Sequence, residues 1–115
     1  MQDKIELGLL LDYYGAFLTE NRRELLSLSV NEDFSLGEIA EMKGISRQAV
    51  RDALLHGEKQ LCEMEHKLGL IARDSRIIET ISELKTEMAV QGIMNERIDL
   101  ILSRLIEITE GENGI

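Results

Sequence analysis

Apolar side chains recur along this chain at helical spacing, and caps and turn residues divide them into six predicted helices. The first runs from about Lys4 to Tyr14, with Ile5, Leu9 and Leu10 apolar and Gly15 ending it as the residue past its last turn. Thr19 is placed to cap a second helix from Glu20 to about Val30, whose Leu25, Leu26 and Leu28 form a buried stripe. Asn31-Glu32-Asp33 reads as a turn. Ser35 opens a short third helix, and Glu38, three residues on, completes a capping box. That helix runs through Ile39 and Ala40 to Met42, where Gly44 breaks it.

Ser46 caps a fourth helix with no stop before Gly69, unless Gly57 kinks it. Leu54, Leu61 and Leu68 recur every seven residues, with Val50, Gly57 and Met64 between them, a spacing that predicts a seam for a partner helix. Two more helices follow. Ile77, Ile81, Leu84 and Met88 mark the fifth. After Gly92, Asn95 caps the sixth, with Ile98, Ile101, Leu105 and Ile108 on one face. Residues from Gly111 to Ile115 are expected to fray.

The stretch from Leu36 to Val50 carries the functional reading. Two helices that cross steeply through a three- or four-residue turn need a small residue at the crossing, and Ala40 stands there. The turn needs a left-handed backbone four residues later, and Gly44 supplies it. Ile39, Ile45, Val50 and Ala53 fall where the helices pack. The pattern predicts a helix-turn-helix spanning residues 35–61. In DNA-binding examples the opening turn of the second helix meets base edges. With Ala49, Val50 and Ala53 facing inward, Arg47, Gln48, Arg51 and Asp52 face out. Arg47 and Gln48 suit guanine or adenine edges, Arg51 suits a base or a phosphate, and Ser46 lies at the same helix start. Arg22 and Arg23 are placed to meet the flanking backbone. The bland alternative is that these arginines pair with Glu38, Glu41 or Asp52 on a solvated face.

Composition narrows the picture. The 115 residues fit one domain, or a small domain with a helical extension: residues 1–70 as the helix-turn-helix domain and 71–115 as a tail for dimerisation or core packing. There is no proline, and Tyr13, Tyr14, Phe17 and Phe34 are the only aromatics. The net charge is −9, which disfavours nucleic acid, but its distribution matters more. Residues 1–34 carry net −4, residues 35–61 net 0 and residues 62–115 net −5, so the acidity lies outside the motif. A single cysteine, Cys62, fits a reducing compartment. No segment reads as a secretory signal or a membrane span, so a cytoplasmic protein is expected.

Other chemistry is thin. Cys62 and His66 share a helix face as half a metal site, but no second pair stands at suitable spacing, so no metal or other cofactor is expected. Tyr13 and Tyr14 read as core rather than as a base-stacking platform, and Met42, Met64, Met88 and Met94 as core gap-fillers. No nucleophile with its base, no phosphate loop and no paired carboxylates argue for an enzyme.

Leu10-Leu11-Asp12-Tyr13-Tyr14-Gly15, Leu18-Thr19-Glu20, Glu32-Asp33-Phe34-Ser35-Leu36-Gly37-Glu38-Ile39-Ala40-Glu41 and Ile45-Ser46-Arg47-Gln48-Ala49-Val50, followed by Asp52, resemble the YlxM family of Gram-positive bacteria. The resemblance covers residues 7 to about 70. It implies an all-α fold similar to the promoter-recognising C-terminal DNA-binding domain of sigma factors, here extended by long C-terminal helices. It also implies an accessory or regulatory role near the signal recognition particle pathway, with Ser46, Arg47, Gln48 and Val50 matching the family's signature. The chain departs from the pattern at Leu55, His56 and Gly57, where basic or polar residues are expected, and at Arg51, where an aromatic is. Two partner sets follow: double-stranded DNA bound by a homodimer, or the particle's protein or RNA bound through the acidic surface.

Overall fold

The computed structural model describes residues 3–111, and within them the chain forms six α-helices and no strand. These are α1 (Lys4–Tyr14), α2 (Glu20–Val30), α3 (Leu36–Lys43), α4 (Arg47–Leu68), α5 (Leu70–Val90) and α6 (Glu96–Gly111). Of the segment expected to fray, Gly111 to Ile115, Gly111 is instead the last residue of α6, and the rest falls outside the described residues. The chain divides into two compact units, Met1–Leu68 and Gly69–Ile115.

Side-chain caps set most of the helix starts in the first unit. The Asp3 carboxylate accepts from Ile5 N at 2.7 Å, the Thr19 hydroxyl from Arg22 N at 3.3 Å and the Ser35 hydroxyl from Glu38 N at 3.1 Å. Each satisfies a backbone donor that the first helical turn leaves unpaired. One expectation fails at the end of α1. Gly15 is right-handed (φ −58°, ψ −32°) and starts a 3-10 turn, Gly15–Phe17, that carries the chain round to Leu18. Leu11 lies against its α-carbon, so the glycine serves close packing and not a left-handed stop.

α4 is the central helix of this unit. It runs unbroken through Gly57, and its Val50, Leu54 and Leu61 are buried together with Leu7, Leu10, Leu11 and Tyr14 of α1, Leu25 and Leu26 of α2, and Ile39 of α3. The heptad seam is therefore filled by the chain's own helices. Leu61 is 0% exposed, whereas Leu68, the next residue of the heptad, is 58% exposed. A seven-residue repeat marks an apolar stripe, and that stripe cannot say whether the covering helices belong to the same chain. Gly57 does not interrupt α4. It lets α2 approach: a Cβ there would stand 2.6 Å from Leu26 Cδ1. Tyr14 is fully buried and donates its hydroxyl to Glu65, a core role for the ring.

The second unit is a helical hairpin. Asn95 caps α6 by accepting from Ile98 N at 2.9 Å, and Lys85 of α5 reaches Ser103 at 3.2 Å and Asp99 at 3.4 Å on α6. Ile81 and Leu102 are its buried apolar residues, while Leu84, Ile101, Leu105 and Ile108 remain substantially exposed. Two helices alone cannot cover both of their apolar stripes. Met42 is exposed, so it fills no core gap, whereas Met64, Met88 and Met94 are half-buried.

Candidate nucleic-acid interface

The crossing of α3 and α4 begins from the double cap on α3. Ser35 N donates to Glu38 Oε1 at 3.0 Å while the Ser35 hydroxyl accepts from Glu38 N, forming the reciprocal capping box. Hydrogen bonds from Ser35, the backbone one first, hold the Glu38 carboxyl below its ordinary value. α3 ends where Gly44 takes φ 66°, ψ 33°, the left-handed conformation that residues with a Cβ enter at a cost. The Ala40 carbonyl accepts there from both Gly44 N and Ile45 N. Three residues, Gly44 to Ser46, separate the helices. The Ser46 hydroxyl then accepts from Ala49 N at 3.0 Å and opens α4.

Between the two helices Ile39 and Val50 are fully buried, Ala40 is nearly so and Ala53 is half-buried. Two expected packing residues are not there. Ile45 is 41% exposed and Ala49 is exposed, and on α4 full burial begins at Val50. Ala49 thus joins the outer surface beside the polar residues instead of backing it.

The structure brings Ser46, Arg47, Gln48 and Arg51 together on the first turns of α4, all exposed. The Ser46 hydroxyl is engaged as the cap, and Gln48 Nε2 donates to Asp52 Oδ1 at 2.9 Å. Arg47 and Arg51, four residues apart, share a face. Among the described residues neither forms an ion pair: Glu38 is occupied in its capping box and Asp52 receives Gln48. Like charges at this spacing weaken a helix by a few tenths of a kcal/mol. Arg47 also stands at the helix end where the backbone dipole disfavours cations. α4 has no acidic residue in its first turn, unlike α1, α2, α3 and α6, which have Glu6, Glu20, Glu38 and Glu96. The opening of α4 thus presents two arginines without an ion-pair partner among the described residues.

Arg22 and Arg23 part company. Arg22 is half-buried, with its stem against Gly57 and its guanidinium donating to Gln60, so it braces α2 on α4 and is not presented to a flanking backbone. Arg23 is exposed, its stem beside Gly15. Sequence reasoning also missed Gly37. A Cβ on that residue would stand 3.1 Å from Arg47 Nη2, so the bare backbone of α3 makes room for the Arg47 head. Nothing in the local pattern distinguishes such a glycine from one tolerated by chance. Lys43, at the end of α3, is taken up by Glu24. Among the described residues no cluster of His, Cys, Asp and Glu could hold a metal ion, and no helix is long and apolar enough to cross a membrane.

Two short capped helices crossing through a left-handed glycine, with an exposed polar edge on the second, define a helix-turn-helix protein. The chain belongs to the UPF0122 family, whose model, "Putative helix-turn-helix protein, YlxM / p13 like", matches residues 1–101. It is similar to the UPF0122 protein of Acetivibrio thermocellus, 45% identical over 115 residues that cover 94% of this chain and 98% of that protein. It is likewise similar to those of Desulforamulus reducens, 42% identical with 93% and 96% covered, and Clostridium botulinum, 38% identical with 78% and 86% covered.

Proposed function

We propose that this protein is a DNA-binding regulator that reads duplex DNA with the start of α4. The observation that carries the reading is the pair Arg47 and Arg51, exposed, without ion pairs and on one face of the first two turns of a capped helix. A phosphate or a guanine edge supplies the negative partner that the protein itself withholds. Arg23 is available for a flanking phosphate, Gln48 exchanges Asp52 for a base edge, and Arg22 serves packing. Pairing of two copies through the half-exposed stripes of α5 and α6 would double a weak electrostatic anchor and suit a site with two half-sites. The test is fluorescence anisotropy with a random duplex library at low salt. The wild type should bind with a salt dependence that falls by about one unit for each arginine removed in Arg47→Ala and Arg51→Ala. Absence of wild-type binding at low salt defeats the proposal.

A second reading has its own support in the net charge of −9, all of it outside residues 35–61. On this reading the helix-turn-helix is scaffold, and the acidic surface meets a basic partner, the protein or RNA-protein surface of the signal recognition particle. A pull-down with that protein and RNA should then be salt-sensitive and indifferent to Arg47→Ala. Failure at low salt removes this option.

A further inference from the structure

Beside the proposed reading edge lies a recess of about 310 Å3, lined by Ser29 of α2, Phe34 of the following turn, Leu36 of α3, and Arg51, Leu54 and Leu55 of α4. Its size is near the lower limit of clefts that hold small molecules. The walls are mainly aromatic and aliphatic, and Ser29 and Arg51 are the two polar residues of the lining. Neither has a hydrogen-bond or ionic partner among the described residues. An apolar chamber with one cation and one hydroxyl complements a molecule with an apolar body and a single negative head. Phe34, half-buried in the wall, favours a flat aromatic body, since rings pack against rings in offset or edge-on contact.

We infer that this recess is an effector site for a small aromatic carboxylate, held by its ring among Phe34, Leu36, Leu54 and Leu55 and by its carboxylate on Arg51 and Ser29. The consequence rests on the DNA-binding reading above. Arg51 is one of the two arginines that reading assigns to DNA, and one guanidinium cannot serve both anions fully. The carboxylate therefore antagonises DNA binding. Phe34 N donates to the Leu28 carbonyl at 3.0 Å, which ties the Phe34 wall to the end of α2.

The ligand half of the inference is tested on the protein alone, so it stands or falls whether or not DNA binds. The probe is 2-naphthoate, with 2-naphthamide as its uncharged counterpart, titrated into 15N-labelled full-length protein. Naphthoate should give saturable amide shifts confined to residues 29, 34–36 and 51–55. The amide should bind about tenfold or more weakly, the effect of losing a charge-assisted hydrogen bond. Arg51→Gln should weaken naphthoate by a similar factor, and Ser29→Leu, which fills the recess from α2, should abolish the shifts while keeping the folded spectrum. No saturable shifts, shifts centred on α5 and α6, or equal binding of acid and amide would each overturn the site. The regulatory half is read separately. Saturating naphthoate should release bound duplex from the wild type and leave DNA binding by Ser29→Leu intact, and release that is equal in both proteins overturns the antagonism.

Discussion

Gly57 lies in the middle of α4, where helix propensity alone favours alanine by about 1 kcal/mol. The fold reverses that preference. A Cβ on Gly57 would stand 2.6 Å from Leu26 Cδ1 and 3.1 Å from Arg22 Cγ. Carbon atoms pack best at about 3.5–4.0 Å, so α2 and α4 must part, or Leu26 must shift, by about 1 Å. Leu26 is 1% exposed, so its displacement is taken up within the core. Forcing a methyl into such a core costs about 1–3 kcal/mol. After the propensity gain, Gly57→Ala should lose up to about 2 kcal/mol, and Gly57→Val more, since it adds bulk and gives back propensity. Urea unfolding followed by far-UV circular dichroism measures this directly. The mechanism is isolated by a cycle with Leu26→Ala, which on its own costs about 2–5 kcal/mol but vacates the contested space. In that background Gly57→Ala should become neutral or stabilising, a coupling of about 0.5–3 kcal/mol. If Gly57→Ala stabilises by about 1 kcal/mol in both backgrounds, the close approach of α2 to α4 is refuted.

Three further outcomes bear on the fold and the turn. A methyl group on Gly44 would meet no atom within 4 Å, so Gly44→Ala should cost only the left-handed backbone, about 1–2 kcal/mol, and Gly44→Asn distinctly less; equal losses in the same unfolding assay would point to a steric cause. Leu61→Ala should cost about 2–5 kcal/mol whereas Leu68→Ala should stay within about 0.5, and comparable losses would restore the heptad as an interface in its own right. The Glu38 carboxyl is held below its ordinary value of 4.5 chiefly by the Ser35 backbone N–H. Its folded value is the lower one, so its contribution to stability is complete above about pH 4.5 and is lost as pH falls through the folded value. The stability advantage of the native protein over Glu38→Gln should therefore shrink on acidification below that point, and a gap that widens instead would contradict the capping box.

Local chemistry was sufficient for the elements and for the turn. The caps at Thr19, Ser35, Ser46 and Asn95 and the left-handed break at Gly44 all follow from interactions within a few residues, which is why the sequence by itself determined the six helices and the helix-turn-helix. Contacts between segments far apart in the chain were decided only in three dimensions. A stripe of Leu54 and Leu61 demands cover, but only the packed bundle assigned that cover to α1, α2 and α3. Two arginines adjacent in sequence look alike until Gly57 and Gln60 of α4, more than thirty residues away, claim Arg22 and leave Arg23 in solvent. The helix-turn-helix pattern places Ile45 and Ala49 in the packing between the helices, yet Ile45 is 41% exposed and Ala49 is exposed. Periodicity fixes which side of a helix is apolar; the crossing angle and the identity of the neighbour fix what that side touches.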